Sequence, residues 1–155
     1  MRIHLIAVGD RMPGWVEQGY AEYARRLPPE CALDLIEIAP GRRSKGADLT
    51  RIAQDECARM LAAVPRQAQV VALDVDGRPW STAELAQQLR GWLQSGRDLA
   101  LLVGGPEGLA PACRARADLA WSLSRLTLPH ALVRVVVAEQ IYRAWSVLAH
   151  HPYHR

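Results

Sequence analysis

Two rhythms of apolar residues alternate along the chain. Residues 2–8 (RIHLIAV) and 31–38 (CALDLIEI) are short branched and apolar runs of strand length, whereas 13–27 (PGWVEQGYAEYARRL) and 47–64 (ADLTRIAQDECARMLAAV) repeat apolar residues at helical spacing. Pro13 suits the start of the first helix and Asp48 the N-cap of the second. Between the second strand and the second helix lies a turn-rich basic loop, 39–48 (APGRRSKGAD). The alternation continues with a strand at 68–75 (AQVVALDV), a turn at 76–80 (DGRPW), and a third helix opened by Ser81 and Glu84 as a capping box. The unbroken apolar run 98–103 (DLALLV) suits a strand covered on both faces, and a short helix is expected around 111–117 (PACRARA). The last long segment, 131–150, opens with Val133, Val135, Val136 and Val137, which favour a strand. Its length and the spacing of Val137, Ile141, Trp145 and Leu148 predict a helix instead. Together these elements imply an α/β fold with a mostly parallel sheet flanked by helices.

Composition narrows this picture without changing it. A chain of 155 residues buries one proper core, and with no repeat or linker it reads as a single domain, 1–155. Half the residues are hydrophobic and 23% are charged, which excludes a disordered chain. The net charge of +3 tolerates an anionic partner such as nucleic acid without demanding one. Cys31, Cys57 and Cys113 are odd in number and lie in no C-x-x-C, so neither a disulfide framework nor a thiolate metal site is expected, and a reducing cytoplasm is. MRIHLIAVGD reads as a first strand and not as a signal, and no hydrophobic run has membrane-spanning length.

Candidate chemistry concentrates in four places. At 104–108 (GGPEG) a buried strand ends in a loop of little side-chain bulk, at the end of the sheet where α/β proteins bind ligands. The loop matches neither the dinucleotide nor the triphosphate glycine pattern, and an ordinary strand-to-helix turn satisfies the same spacing. In 123–130 (LSRLTLPH), Leu123, Leu126 and Leu128 form an apolar wall and Ser124 and Thr127 add hydroxyls. His130 stands at a helix start, where the helix dipole lowers an imidazole pKa and leaves a neutral proton acceptor; a capping or packing histidine is the plainer alternative. Arg42, Arg43 and Lys45 in the basic loop can reach phosphates or simply face water. The end of the chain, 150–155 (HHPYHR), lacks the spacing of metal ligands, and no metal site is expected anywhere. Pro152 breaks the helix there, Tyr153 offers a stacking face and Arg155 a bidentate donor.

Taken together, 101–109 (LLVGGPEGL), 121–146 (WSLSRLTLPHALVRVVVAEQIYRAWS), 151–155 (HPYHR) and 8–30 (VGDRMPGWVEQGYAEYARRLPPE) resemble the pseudouridine N3-methyltransferases of large-subunit ribosomal RNA, a family of the SPOUT superfamily. The resemblance runs the length of the chain in the same motif order. It implies an α/β fold whose C-terminal part, about residues 70–150, is threaded into a trefoil knot, an exception to the rule that chains do not thread their loops. It also implies a homodimer, with S-adenosylmethionine held in the knot by Leu73, Gly104, Leu123, Ser124, Arg125, Leu126, Thr127 and Leu128, joined by Gly105 and Gly108. The implied target is a pseudouridine in an rRNA stem-loop, modified on the assembled ribosome.

Methyl transfer from a sulfonium needs alignment and exclusion of water more than it needs a metal. The N3 proton of the base calls for a base, or for a donor to the developing anion, and His130, Tyr153 and Arg155 are the groups available. The tail is expected near the partner's pocket, with Arg25, Arg26, Arg42, Arg43 and Lys45 as ribosome contacts. Two other readings stay open here: another α/β nucleotide-binding enzyme such as a small dehydrogenase, disfavoured by the absence of G-x-G-x-x-G after the first strand, and a non-catalytic RNA- or ribosome-binding protein.

Overall fold

A computed structural model describes residues 1–155. Its strands are β1 (Ile3–Val8), β2 (Leu33–Ile38), β3 (Gln69–Arg78), β4 (Leu99–Val103) and β5 (Leu119–Trp121), paired in parallel in the order β2-β1-β4-β3-β5. The helices are α1 (Gly14–Ala24), α2 (Leu49–Ala63), α3 (Thr82–Ser95), α4 (Pro111–Arg116) and α5 (His130–Leu148), with short 3-10 turns at Pro29–Cys31 and Pro152–His154.

The two-residue period of the strands divides the core into two layers. Ile3, Leu5 and Ala7 of β1 share one cluster with Leu85, Leu89 and Trp92 of α3 and Val137 and Ile141 of α5. Ile6 and Val8 face the opposite way, toward Cys57 and Met60 of α2 and Cys113 of α4. Every residue of β4 is buried, as its unbroken apolar run predicts. Full burial of one such Leu or Ile contributes about 1.5–3 kcal/mol, which outweighs the helix reluctance of the valines in α5. That segment packs against α1 and α3 as a helix.

Local signals set several helix ends. The Asp48 carboxylate accepts from the Arg51 N–H at 3.2 Å. Ser81 Oγ accepts from Glu84 N–H at 3.2 Å while Glu84 Oε2 accepts from Ser81 N–H at 2.7 Å, the reciprocal box read from the sequence. All three cysteines are free and buried. No helix is long and apolar enough to cross a membrane.

The turn expected at 76–80 is instead largely strand, because β3 runs on to Arg78. Leu73 and Arg78 both register on Trp121, so the residues between them are bulged out of the ladder. Gly77 makes the crossing feasible: a Cβ there would lie 2.7 Å from both the carbonyl carbon of Ala120 and the amide nitrogen of Trp121. Any larger residue would push the strands apart.

Candidate active site

The C-terminal ends of β3, β4 and β5 release three loops that enclose a cleft of about 690 Å³. Leu73, Gly104, Gly105, Gly108, Leu123, Ser124, Leu126, Thr127, Leu128 and His130 all line it, which brings segments distant in sequence into one place. Arg125 is exposed and lies outside this lining. Five polar or aromatic lining residues have no part in the site read from the sequence: Asp74, Glu107, Arg114, Trp121 and Ser122. Asp74 reaches Arg114 Nε at 3.1 Å and accepts the Asp76 N–H at 3.0 Å, so the bulge of β3 is tied to α4.

In the glycine loop close contact calls for glycine at 104, and a left-handed φ of 78° calls for it at 108. A Cβ on Gly104 would lie 2.5 Å from the carbonyl carbon and oxygen of Gly108, so backbone packs directly on backbone. Gly108 N–H donates to Gly105 O at 2.9 Å and closes the turn. Opposite, Ser124 Oγ accepts the Leu126 N–H at 2.9 Å and Ser122 Oγ donates to Ser124 O at 3.0 Å. These serines therefore order the leucine-rich wall.

His130 is the first residue of α5, and the start of that helix is pinned to the end of β1. Arg134, one turn on and 1% exposed, donates from Nη2 to Gly9 O at 2.6 Å and from Nη1 to Glu37 at 2.8 Å. The His130 pKa is lowered, first by burial and then by the Arg134 and Arg43 guanidinium groups, against an opposing pull from Glu107 and Glu56. The direction matches the sequence expectation, but burial leads where the helix dipole was expected to.

Arg43 turns inward. Its Nη1 and Nη2 donate to the buried Glu56 carboxylate at 3.0 and 2.9 Å, Nε and Nη2 to Glu107 at 3.0 and 2.7 Å, and Nη1 to Gly41 O at 3.1 Å. Arg42 and Lys45 on the same loop are exposed. Arg25 and Arg26 are exposed as well and pair with Glu22, and Arg26 also lies over the rings of Tyr23 and Tyr142.

The tail is docked onto α5. His150 takes a left-handed φ of 55° that ends the helix, and His151 Nδ1 accepts the Tyr153 N–H at 3.2 Å. Tyr153 packs on Tyr142 with ring centres 4.6 Å apart and donates its hydroxyl hydrogen to Glu139 at 2.9 Å. Burial and then this carboxylate push the Tyr153 pKa up to about 12. Glu139 lies nine residues beyond His130 on α5, which is about 13 Å of rise and about half a turn around the helix. Within a single subunit, then, His130 and the tail occupy opposite faces.

The family model described as "Predicted SPOUT methyltransferase" matches residues 1–154. The chain belongs to the SPOUT methyltransferase family. A ribosomal RNA large subunit methyltransferase H from Thioalkalivibrio sulfidiphilus (strain HL-EbGR7) is 68% identical over 155 residues, covering 100% of this chain and 99% of the relative. Among solved structures, "Probable Methyltransferase from Bordetella pertussis Tohama I" matches with a TM-score of 0.58 at 17% identity, over 92% of this chain and 95% of that one. Lpg2936 from Legionella pneumophila, solved with the cofactor SAM bound, matches with a TM-score of 0.50 at 9% identity, over 94% of this chain and 66% of that one. At these identities the two structures share the fold.

For a SPOUT methyltransferase the cleft has apt dimensions, since nucleoside-sized ligands occupy pockets of about 300–1,000 Å³. Its floor is bare backbone, its walls are largely apolar, and one titratable ring stands at the rim. Glu107, Asp74 and Arg114 were hard to find in advance because each is an ordinary turn or surface residue in sequence. Their partners come from other loops.

Proposed function

We propose that this methyltransferase uses S-adenosylmethionine to methylate N3 of a pseudouridine in a stem-loop of large-subunit ribosomal RNA, acting as a homodimer on assembled ribosomes in the cytoplasm. The observation that carries this reading is the largely apolar cleft with a neutral-leaning His130 at its edge, in a protein 68% identical over its full length to an rRNA methyltransferase. The cleft fits the cofactor: the contact between Gly104 and Gly108 leaves a floor of bare backbone, against which a flat ring can lie. When bound, S-adenosylmethionine supplies an electrophilic methyl group on a sulfonium centre.

The protein's own residues do the rest. The leucine wall and glycine loop orient the cofactor, with Arg125 given no chemical part. His130 accepts the N3 proton, and Arg155 stabilises the negative charge that develops on the base. Tyr153 holds the tail in shape. Because His130 and the tail lie on opposite faces of α5, this division of labour requires the tail of a second subunit at each cleft. A trefoil knot around the cleft belongs to the same reading. With a net charge of +3, phosphate attraction alone is a weak guide to one nucleotide. Arg25, Arg26, Arg42 and Lys45 therefore serve as contacts within a recognition of ribosome shape.

Calorimetry with S-adenosylmethionine and NAD, followed by a methyl-transfer assay on ribosomes lacking the modification, tests the proposal. The expected result is heat with S-adenosylmethionine and methyl incorporation mapped to N3 of a single pseudouridine. Heat with NAD alone, or ribosome binding without transfer, would overturn it.

A further inference from the structure

We propose that Arg43 and Glu56 are positioning residues for the cofactor cleft, acting through Glu107 to hold the glycine loop in its binding shape. This rests on reading the cleft as the S-adenosylmethionine site. Sequence alone places Arg43 among basic residues that face RNA. The structure gives it different work.

A guanidinium has five N–H donors in a rigid fork. In Arg43 all five are engaged, one edge gripping Glu56, the other gripping Glu107, and the remaining hydrogen closing on Gly41 O. No donor is left for a phosphate. Glu56, on α2, is 2% exposed, and a carboxylate so deeply placed needs a partner; it also accepts the Gly41 N–H at 2.8 Å. The rigid helix thus anchors the guanidinium from behind. In front, Glu107 belongs to the turn whose backbone packing forms the cleft floor, and its carboxylate arm lines the cleft. The guanidinium also packs on that turn directly: a Cβ on Gly105 would lie 3.0 Å from Arg43 Nη2. Within itself the glycine loop is closed only across Gly105 and Gly108, by a short antiparallel bridge, before it runs into the buried Leu109 and Ala110. The exposed side chain at its tip, Glu107, is held from outside, through a strap running from α2 through the basic loop.

On the same loop Arg42 and Lys45 remain exposed. Adjacent cations accordingly have opposite duties: Arg43 inward to the cofactor, Arg42 and Lys45 outward.

The test compares Arg43→Ala, Glu107→Gln, their double variant, and Arg42→Ala/Lys45→Ala in the full-length protein. Readouts are S-adenosylmethionine affinity by calorimetry, steady-state kinetics on ribosomes, and amide hydrogen exchange at 104–109 without ligand. Arg43→Ala should raise the Kd and KM for S-adenosylmethionine about tenfold, the scale of one charge-assisted hydrogen-bonded pair. At saturating cofactor, and at a pH above the His130 titration where the imidazole is neutral with or without Arg43, kcat should stay within about twofold. A general loss of folded protein would instead lower kcat and leave KM alone. Glu107→Gln, which leaves the Glu56 pair intact, should act in the same direction, and the double variant should be no worse than Arg43→Ala. Exchange at 104–109 should quicken in both single variants. Arg42→Ala/Lys45→Ala should keep the cofactor Kd and weaken ribosome binding. Unchanged cofactor affinity and loop exchange in both Arg43→Ala and Glu107→Gln would overturn the proposal, as would loss of ribosome binding alone in Arg43→Ala. If the unaltered protein takes up no S-adenosylmethionine, the functional reading falls, and the strap is then decided by loop exchange alone.

Discussion

His130 is poised so that its charge state decides whether a proton can be taken. Burial beside Arg134 and Arg43 lowers its pKa below the usual 6.5, so the neutral imidazole persists into weakly acidic solution. The acid limb of kcat/KM should therefore have its midpoint below 6.5 and vanish in His130→Gln, whose kcat should fall about 10²- to 10⁴-fold. A limb retained by that variant would assign the titration to another group. The same shift has a stability side. Between the lowered folded pKa and the unfolded value the unfolded protein binds more protons, so the contribution is complete above the unfolded value and is lost as pH falls toward the folded one. His130→Gln should remove that slope from a urea titration repeated across pH. At this scale the gathering of His130 and the glycines at one cleft was legible in the sequence, because a strand end and a helix start are marked locally by glycine and proline. The duty of Arg43 was not, since a charge in a loop does not disclose whether its partner is water, phosphate or a buried carboxylate such as Glu56.

The elements followed their hydrophobic periods wherever burial was one-sided or complete, as in β1, β4 and α5. They departed from sequence expectation where pairing came from far along the polypeptide: nothing in DGRPW indicates that Trp121 will arrive to extend β3 through Arg78. The tail is the other element that local sequence left undecided between frayed and docked. Its anchor, the bond from the Tyr153 hydroxyl to Glu139, depends on a helix face that forms only when α5 does. Deleting residues 152–155 should abolish methyl transfer while S-adenosylmethionine affinity stays within about twofold, because none of the four lines the cleft. Tyr153→Phe, which gives up one hydrogen bond worth about 1–2 kcal/mol, should loosen the tail and lower turnover only in part. Full turnover by the deletion variant on ribosomes would remove the tail from the mechanism.

For the whole molecule, the opposed placement of His130 and the tail makes the composition of each site a matter of symmetry. Mixing His130→Gln subunits with subunits lacking 152–155 should restore activity that neither has alone. Random pairing of the two kinds gives one complete site in half the dimers, about a quarter of normal turnover. Mixtures as inactive as their components would place each site within a single subunit. The sheet itself was legible as alternating strands and helices, but its order was not, since β4 enters between β1 and β3. The last strand is the extreme case. Val70 and Asp118 exchange hydrogen bonds across 48 residues, so β5 joins β3 by closing a loop that holds α3, β4 and α4. Contacts of such separation are slow to form. In refolding, uptake of a cleft ligand should thus act as a clock for the docking of β5, and should lag behind the return of the helical signal.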